Sequence, residues 1–240
     1  MFFDDYPRFL TTSTTANNPL RLHIRYRAMF EANAAIFRGA RVVDIASHDG
    51  RWTMAANKMG ATFTTGIEFR SEMVKHAEEN FTEYSVPKDT YRFINDDVFE
   101  VLQNPSDFQL KSEDAEVVMC LGFIYHTLRY QDLFSGIRKL NPKYLLIDSG
   151  VIANELPFIR VHVEDSSKQA AGADTTFDLE GHLITGRPSP SALELMLNAH
   201  GFEVVKKFDW PTFLEENFPD QRSAESYQKG RRVTWLCEPR

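Results

Sequence analysis

The sequence predicts an α/β fold: a Rossmann-like, mostly parallel, seven-stranded sheet with helices on both faces. Two observations carry this prediction. Short apolar runs alternate with amphipathic segments along most of the chain, and those runs are nearly continuous in apolar residues, as strands covered on both faces must be. A third observation bears on ligands. The first run, VVDI, ends in the turn Ala46–Ser47–His48–Asp49–Gly50, and the carboxyl end of a leading strand is where open α/β sheets hold their ligands.

Residues 1 to 19 mix aromatics with the polar tract TTSTTANNP, which cannot bury a core and reads as an arm or lid. From Leu20 to Phe37 the apolar residues Leu22, Tyr26, Met29, Phe30, Ala34 and Phe37 recur at helical spacing, which predicts one amphipathic helix. The strand RVVDIA follows, then a helix from about Trp52 to Met59, the strand TFTTGIE, a helix opening at Ser71, the strand YRFIND, a short helical piece at Val98 to Leu102, and the strand AEVVMCLG. A helix with Leu133, Phe134, Ile137 and Leu140 on one face precedes the strand KYLLIDS. A later helix carrying Leu193, Met196 and Leu197 precedes FEVVKKF and RVTWLCE. The last two strands are joined by a loop with Pro211 and Pro219 and no convincing long helix, which suits a hairpin-like return and an antiparallel last strand at the sheet edge. Between Gly150 and Pro190 the pattern loosens into one sizeable insertion, the kind of segment that carries function or is mobile.

A chain of 240 residues has room for one substantial core. Its formal charge of −7 repels phosphate polymers and disfavours nucleic acid as a partner. Cys120 and Cys237 lie far apart without metal-ligand spacing and read as reduced thiols of a cytoplasmic protein. No apolar run approaches the roughly 20 residues of a membrane span, and MFFDDYPRF has acids where a signal peptide has bases, so neither membrane insertion nor export is expected. The oligomeric state is left open.

In the turn after the first strand, Gly50 can take a positive φ, while Ala46 and Ser47 are small enough to keep the bend open. A dinucleotide fingerprint is absent, because His48 and Asp49 stand where a pyrophosphate needs bare, electropositive backbone. An adenosine ligand without phosphates escapes that requirement. The stretch DIASHDG, from Asp44 to Gly50, resembles the first motif of class I S-adenosylmethionine-dependent methyltransferases, an acid followed by a small-residue loop of GxGxG type. Ala46 matches the first glycine and Gly50 the last, while His48 departs from the middle one.

The resemblance covers roughly residues 20 to 150, and it implies S-adenosyl-L-methionine as methyl donor, with S-adenosyl-L-homocysteine as product. It also implies that Asp44, Ala46, Ser47, His48 and Gly50 shape the methionine side of the site and that Glu68, ending the second strand, takes the ribose hydroxyls. Asp97 would accept from the adenine amino group with Val98 along the base, and Leu121 would close the fourth-strand end. On this reading the chain is a single methyltransferase domain over residues 1–240: arm and helix over 1–40, cofactor-binding half over 41–150, substrate-side insertion over 151–190, and C-terminal helix and strands over 191–240.

Methyl transfer to a hydroxyl needs the nucleophile held in line and its proton removed. Tyr125 and His126 in GFIYHTL sit just beyond the fourth strand, where an imidazole could accept that proton at neutral pH. The YH pair is similar to that of a subgroup containing sugar and natural-product methyltransferases and the carboxymethyltransferase of tRNA wobble uridine. The expected acceptor is a small molecule, a saccharide or other natural product. The alternatives are a tRNA-modifying enzyme and a cofactor-binding module without activity.

In the insertion, VHVED puts His162 and Glu164 on one strand face, with Asp165 beyond and Asp148 at the end of the fifth strand. A divalent metal is conceivable there, but a solvated polar face is the plainer reading, and no metal is expected. Arg21, Arg25 and Tyr26 fall on adjoining helix faces, where an arginine in the cleft could meet the cofactor carboxylate or an acidic acceptor, although a solvated helix face is the plainer reading. KGRR, residues 229 to 232, reads as an edge-strand guard, and Ser189 or Ser191 as a helix N-cap.

Overall fold

The computed structural model describes residues 1–13, 18–167, 177–219 and 224–240. Five strands form the leading part of the sheet: β1 (Arg41–Ile45), β2 (Phe63–Ile67), β3 (Tyr91–Ile94), β4 (Val117–Leu121) and β5 (Tyr144–Gly150). β6 (Ile159–Asp165) and β7 (His182–Pro188) form a separate two-stranded antiparallel ribbon. β8 (Phe202–Lys207) and β9 (Arg232–Pro239) complete a seven-stranded sheet of order β3-β2-β1-β4-β5-β9-β8. β1 to β5 are parallel, and β9 runs antiparallel to both neighbours. The last strand is therefore antiparallel but not at the edge, a correction to the sequence reading. It inserts between β5 and β8, and its apolar run Val233 to Cys237 suits that inner position.

Helices cover both faces. The N-terminal part holds three short helices, α1 (Phe2–Asp5), α2 (Phe9–Thr12) and α4 (Ala34–Phe37), around the longer α3 (Pro19–Met29). Then come α5 (Arg51–Lys58), α6 (Ser71–Glu83), α7 (Val98–Gln103), α8 (Tyr130–Lys139), α9 (Pro190–Ala199), α10 (Trp210–Asn217) and α11 (Glu225–Gln228). Alternation along β1 assigns side chains to opposite layers: Val43 and Ile45 pack with Phe134, Ile137 and Leu193, whereas Val42 packs with Trp52, Phe30 and Phe37.

Three further expectations change. The single helix predicted from Leu20 to Phe37 breaks after Met29, because the buried Asn33 amide turns back to donate to the Ala28 and Met29 carbonyls at the end of α3. The arm does bury core: Phe3 and Phe9 are fully enclosed in the layer of Trp52 and Phe30, and the polar tract at 14–17 lies outside the described residues. The β8–β9 connection carries helices α10 and α11, whose Trp210, Leu214 and Tyr227 pack on Ile24 and Ala28 of α3.

Where the insertion is described, it folds as the β6–β7 ribbon. β7 is clamped onto the loop after β4, where Tyr130 Oη donates to the Gly186 carbonyl at 2.5 Å and the Gly186 amide to that of Thr127 at 3.3 Å. A Cβ at Gly186 would fall 2.5 Å from Leu128 Cδ2 and 2.6 Å from Tyr130 Oη, so a larger residue would have to displace these side chains. Ser189 caps α9 through its hydroxyl, accepting from the Ala192 amide.

Candidate functional site

The register aligns the carboxyl ends of four strands: Ile45 lies opposite Ile67 and Cys120, and Leu121 opposite Asp148. The sheet order reverses at β1, with β2 on one side and β4 on the other, so a crevice opens above that point.

The loop after β1 has a backbone normally left to glycine. Ala46, His48 and Gly50 have φ of 54°, 55° and 79°, so all three positions of the GxGxG spacing are left-handed although only the last is glycine. Glu68 holds the middle of the bend, accepting from the His48 amide at 3.1 Å, and the Ser47 amide donates to the Ile67 carbonyl at 2.9 Å. Gly50 is the tightest of the three, since a Cβ there would lie 3.0 Å from Phe93 and 3.1 Å from Ala77 and Phe81 on a left-handed backbone. Gly50→Ala is expected to lower stability by about 1 to 3 kcal/mol, from the left-handed backbone and the crowding together; an unchanged thermal midpoint would argue against both.

The side chains of the loop divide by direction. Asp44 is buried and accepts from Thr53 Oγ1 at 2.7 Å, and burial raises its pKa to about 7. Asp49 is also fully buried. Burial opposes its charge, but Arg51 Nη1 at 2.7 Å, His48 and Thr12 Oγ1 at 2.8 Å outweigh that and hold its carboxyl well below the usual range. Thr12 belongs to the N-terminal arm, and Asn80 of α6 ties Thr12 to the Asp49 carbonyl, so the arm is pinned to the bend. His48 is 6% exposed, and its Nε2 has no hydrogen-bond partner among the described residues.

Glu68 is 1% exposed and fully engaged. Besides the His48 amide it takes the Arg70 amide at 3.0 Å and Arg70 Nε at 2.8 Å. Arg70 thereby closes a cavity of about 20 Å³ bounded by Ala46, Glu68, Phe69, Val98 and Phe123. Asp97 caps α7 through Oδ1, which accepts from the Phe99 amide at 2.7 Å. Val98 and Leu121 are buried.

Beyond β4 the structure brings together residues that the sequence reading left apart. His126 Nδ1 lies 2.7 Å from Glu164 Oε2 of the β6–β7 ribbon, and Glu164 Oε1 lies 3.3 Å from His162 Nε2. Burial acts to lower the His126 pKa, but the Glu164 hydrogen bond and Tyr125 outweigh it and the pKa is raised. Glu164 is in turn held below its usual value, with His126 and His162 outweighing its burial. The ribbon is inverted relative to the sequence expectation: Val161 and Val163 are 56% and 62% exposed, while His162 and Glu164 face inward. The face read as solvated is thus part of the site, and no cluster of metal-ligating residues is found among the described residues.

Asp148, fully buried at the end of β5, collects four donors: Arg25 Nη2 at 3.0 Å, Arg232 Nη2, Tyr227 Oη at 2.8 Å and Thr234 Oγ1 at 2.8 Å. Burial opposes its charge, yet Arg232 and Arg25 hold it well below the usual range. Arg232 also donates to Tyr125 Oη at 3.1 Å; burial acts to raise the pKa of that phenol, but Arg232, His126 and Arg25 together outweigh it and bring it down to about 7. Arg232 is the last residue of KGRR, so the reading of that cluster as an edge guard is corrected: β9 is internal, and this arginine points into the site. Arg25 stacks over Trp52 at 5.0 Å.

No protein-family profile matches the sequence. Two provisionally named ribosomal RNA large subunit methyltransferases of Methanocaldococcus jannaschii share 37% identity over 68 residues and 34% over 89, which are 28% and 37% of this chain. The chain spans only 17% and 22% of their lengths. Solved structures resemble it over most of its length. An S-adenosylmethionine-dependent methyltransferase from Mesorhizobium loti has a TM-score of 0.61 at 12% identity, covering 90% of this chain and 99% of its own. The magnesium protoporphyrin IX methyltransferase of Synechocystis, crystallised with S-adenosylhomocysteine, reaches 0.59 at 11% identity, covering 100% and 94%. The 1,6-didemethyltoxoflavin N1-methyltransferase of Burkholderia thailandensis reaches 0.58 at 14%, covering 99% and 85%. The chain therefore has the class I methyltransferase fold, and no described helix is long and apolar enough to cross a membrane.

Proposed function

We propose that this protein is an S-adenosylmethionine-dependent methyltransferase that methylates a hydroxyl of a small molecule, with His126 as general base. The observation that carries the reading is the 2.7 Å contact between His126 Nδ1 and Glu164, just beyond β4, the strand that pairs with β1. A carboxylate can only accept, so Nδ1 bears the proton and Nε2 presents its lone pair to the acceptor. Glu164 fixes the tautomer and stabilises the imidazolium as the hydroxyl proton arrives. The sulfonium donor, when bound, supplies an electrophilic methyl carbon, and the rest of the task is positioning.

The bend fits such a donor on three grounds. Its left-handed backbone opens the approach to α5, its Asp49 charge is neutralised internally, and the unpartnered His48 Nε2 is available to a polar group of the methionine portion. Glu68 stands where a ribose diol would be taken. A cavity of about 20 Å³ holds no more than a water, so a nucleoside enters only as Arg70 leaves Glu68, the diol replacing the guanidinium. Glu68→Ala is accordingly expected to weaken S-adenosylhomocysteine binding by roughly 1.5 to 3 kcal/mol in calorimetry, the range for hydrogen bonds to a charged group. Unchanged affinity would remove Glu68 from this role.

The overall reading is tested with methyl-labelled S-adenosylmethionine and a panel of hydroxylated small molecules. Label appearing on an oxygen, and lost in His126→Ala, is the expected result. Transfer to a nitrogen that survives the substitution would overturn both the acceptor atom and the base.

A further inference from the structure

We propose that the acceptor side of this site binds an anionic oxygen group, a carboxylate or phosphate carried by the acceptor, and that Arg187 is the residue that grips it. The inference rests on the methyltransferase reading only for what the anion is attached to.

The starting point is an imbalance of charge. Arg25 and Arg232 share Asp148, Arg232 and Arg187 lie over the same Tyr125 ring at 5.2 and 5.4 Å, and Arg21 and Arg232 lie over Tyr227 at 5.7 and 5.6 Å. Four guanidiniums are thus linked through two phenol rings to a single carboxylate, while Glu164 is already committed to His126. The chain has an excess of acids, with 34 against 27 bases, yet among the described residues Asp148 is the only carboxylate paired with any of these four arginines. Asp148 and the Tyr125 phenol offset Arg25 and Arg232, and a further guanidinium kept partly enclosed beside them without a carboxylate is costly unless an anion is to be bound there.

Arg187 is the member left over. It is partly buried on β7, its Nε is shielded from solvent without a hydrogen-bond partner, and no carboxylate pairs with it among the described residues. Arg21 by comparison reaches Ser226 Oγ at 3.4 Å, and Arg232 is fixed by Asp148 and Tyr125. The planar fork of an unpaired arginine matches a carboxylate or phosphate with two parallel bonds. The Tyr125 ring neighbours both groups, its centroid 5.4 Å from the Arg187 guanidinium and 4.2 Å from the His126 ring centroid, so an acceptor gripped by Arg187 is held near the base. The ribbon therefore supplies two functions from one inner face: Glu164 from β6 to orient the base, and Arg187 from β7 to hold the acceptor.

The test is calorimetry in low-salt buffer, titrating first S-adenosylhomocysteine and then, in separate arms, inorganic phosphate and acetate. At least one anion is expected to bind wild type in the millimolar range, and Arg187→Gln to weaken it by about tenfold or more. Arg38→Gln, at an exposed position remote from the site, should leave it unchanged. Tighter phosphate assigns a phosphorylated acceptor, and tighter acetate a carboxylate. Failure of both anions to bind wild type in that range, or equal binding by Arg187→Gln, overturns the proposal. Should the variant not fold, the Arg187 Nε–H resonance of wild type decides, since it must shift on titration. An anion bound without any S-adenosylhomocysteine binding would defeat the methyltransferase reading and leave the anion site standing; the converse result defeats the anion site alone.

Discussion

Replacing His126 by alanine is expected to lower the rate of methyl transfer by about 10²- to 10⁴-fold, the usual contribution of a positioned general base, while S-adenosylhomocysteine affinity stays near wild type. The separation follows from the geometry: His126 touches Tyr125 and the Glu164 carboxylate, whereas the loop proposed for the donor is held by Glu68, Thr12 and Asn80. Glu164→Gln has a different signature. It keeps the size of the side chain and a hydrogen-bond acceptor but removes the charge that raises the His126 pKa, so His126 loses its proton at lower pH. The acid limb of the rate profile, which reports the fraction of neutral imidazole, should move to lower pH with a reduced plateau. A profile unmoved by Glu164→Gln would show that His126 is not the group being titrated.

The same pair makes a stability prediction of definite sign. His126 has a folded pKa above its unfolded value, so its contribution is fully present below the unfolded value of about 6.5 and is lost as pH rises through the folded pKa. The difference in stability between wild type and Glu164→Gln should therefore be largest in mildly acidic solution, while Glu164 remains ionised, and shrink toward alkaline pH. Denaturant titrations across that window measure it.

The strands, their order of appearance and the bend at Ala46 to Gly50 are local features, and apolar runs with a terminal turn are enough to find them. The three left-handed residues are less visible: Ala46 and His48 carry no glycine to announce their φ, and they are held in that backbone by contacts such as Glu68 to the His48 amide, twenty residues away. The contact between His126 and Glu164 spans 38 positions. Alternation in VHVED conveys that two faces exist but not which one meets the protein, and the ordinary assumption that valines face inward fails here. Arg232 is a similar case. KGRR looks like surface charge until β9 is seen to run beside β5, which places its first residue opposite Gly150 and within reach of Asp148.

Asp148→Ala is expected to cost about 3 to 5 kcal/mol of folding stability, the range for removing one partner of a buried ion pair. Its carboxylate is fully enclosed and is the shared partner of Arg25 and Arg232, so alanine leaves two guanidiniums in the interior with no counter-charge and deprives Tyr227 and Thr234 of their acceptor. The pH dependence distinguishes this cause from simple loss of packing. The folded pKa of Asp148 is depressed, so its contribution is present above the unfolded carboxylate value of about 3.9 and is lost as pH falls through the folded pKa. The gap between wild type and variant should accordingly hold through neutral pH and narrow only in strong acid, whereas a packing defect would keep it constant. Asp148→Asn, which preserves shape but not charge, should recover little of the loss. Exchanging Asp148, Arg25 and Arg232 together for apolar residues of similar volume should recover much of it, because isolated charge rather than missing volume is then the penalty removed. A loss below about 1 kcal/mol in Asp148→Ala would place these groups in contact with water, and with that the charge imbalance around Tyr125 would no longer require an anionic acceptor.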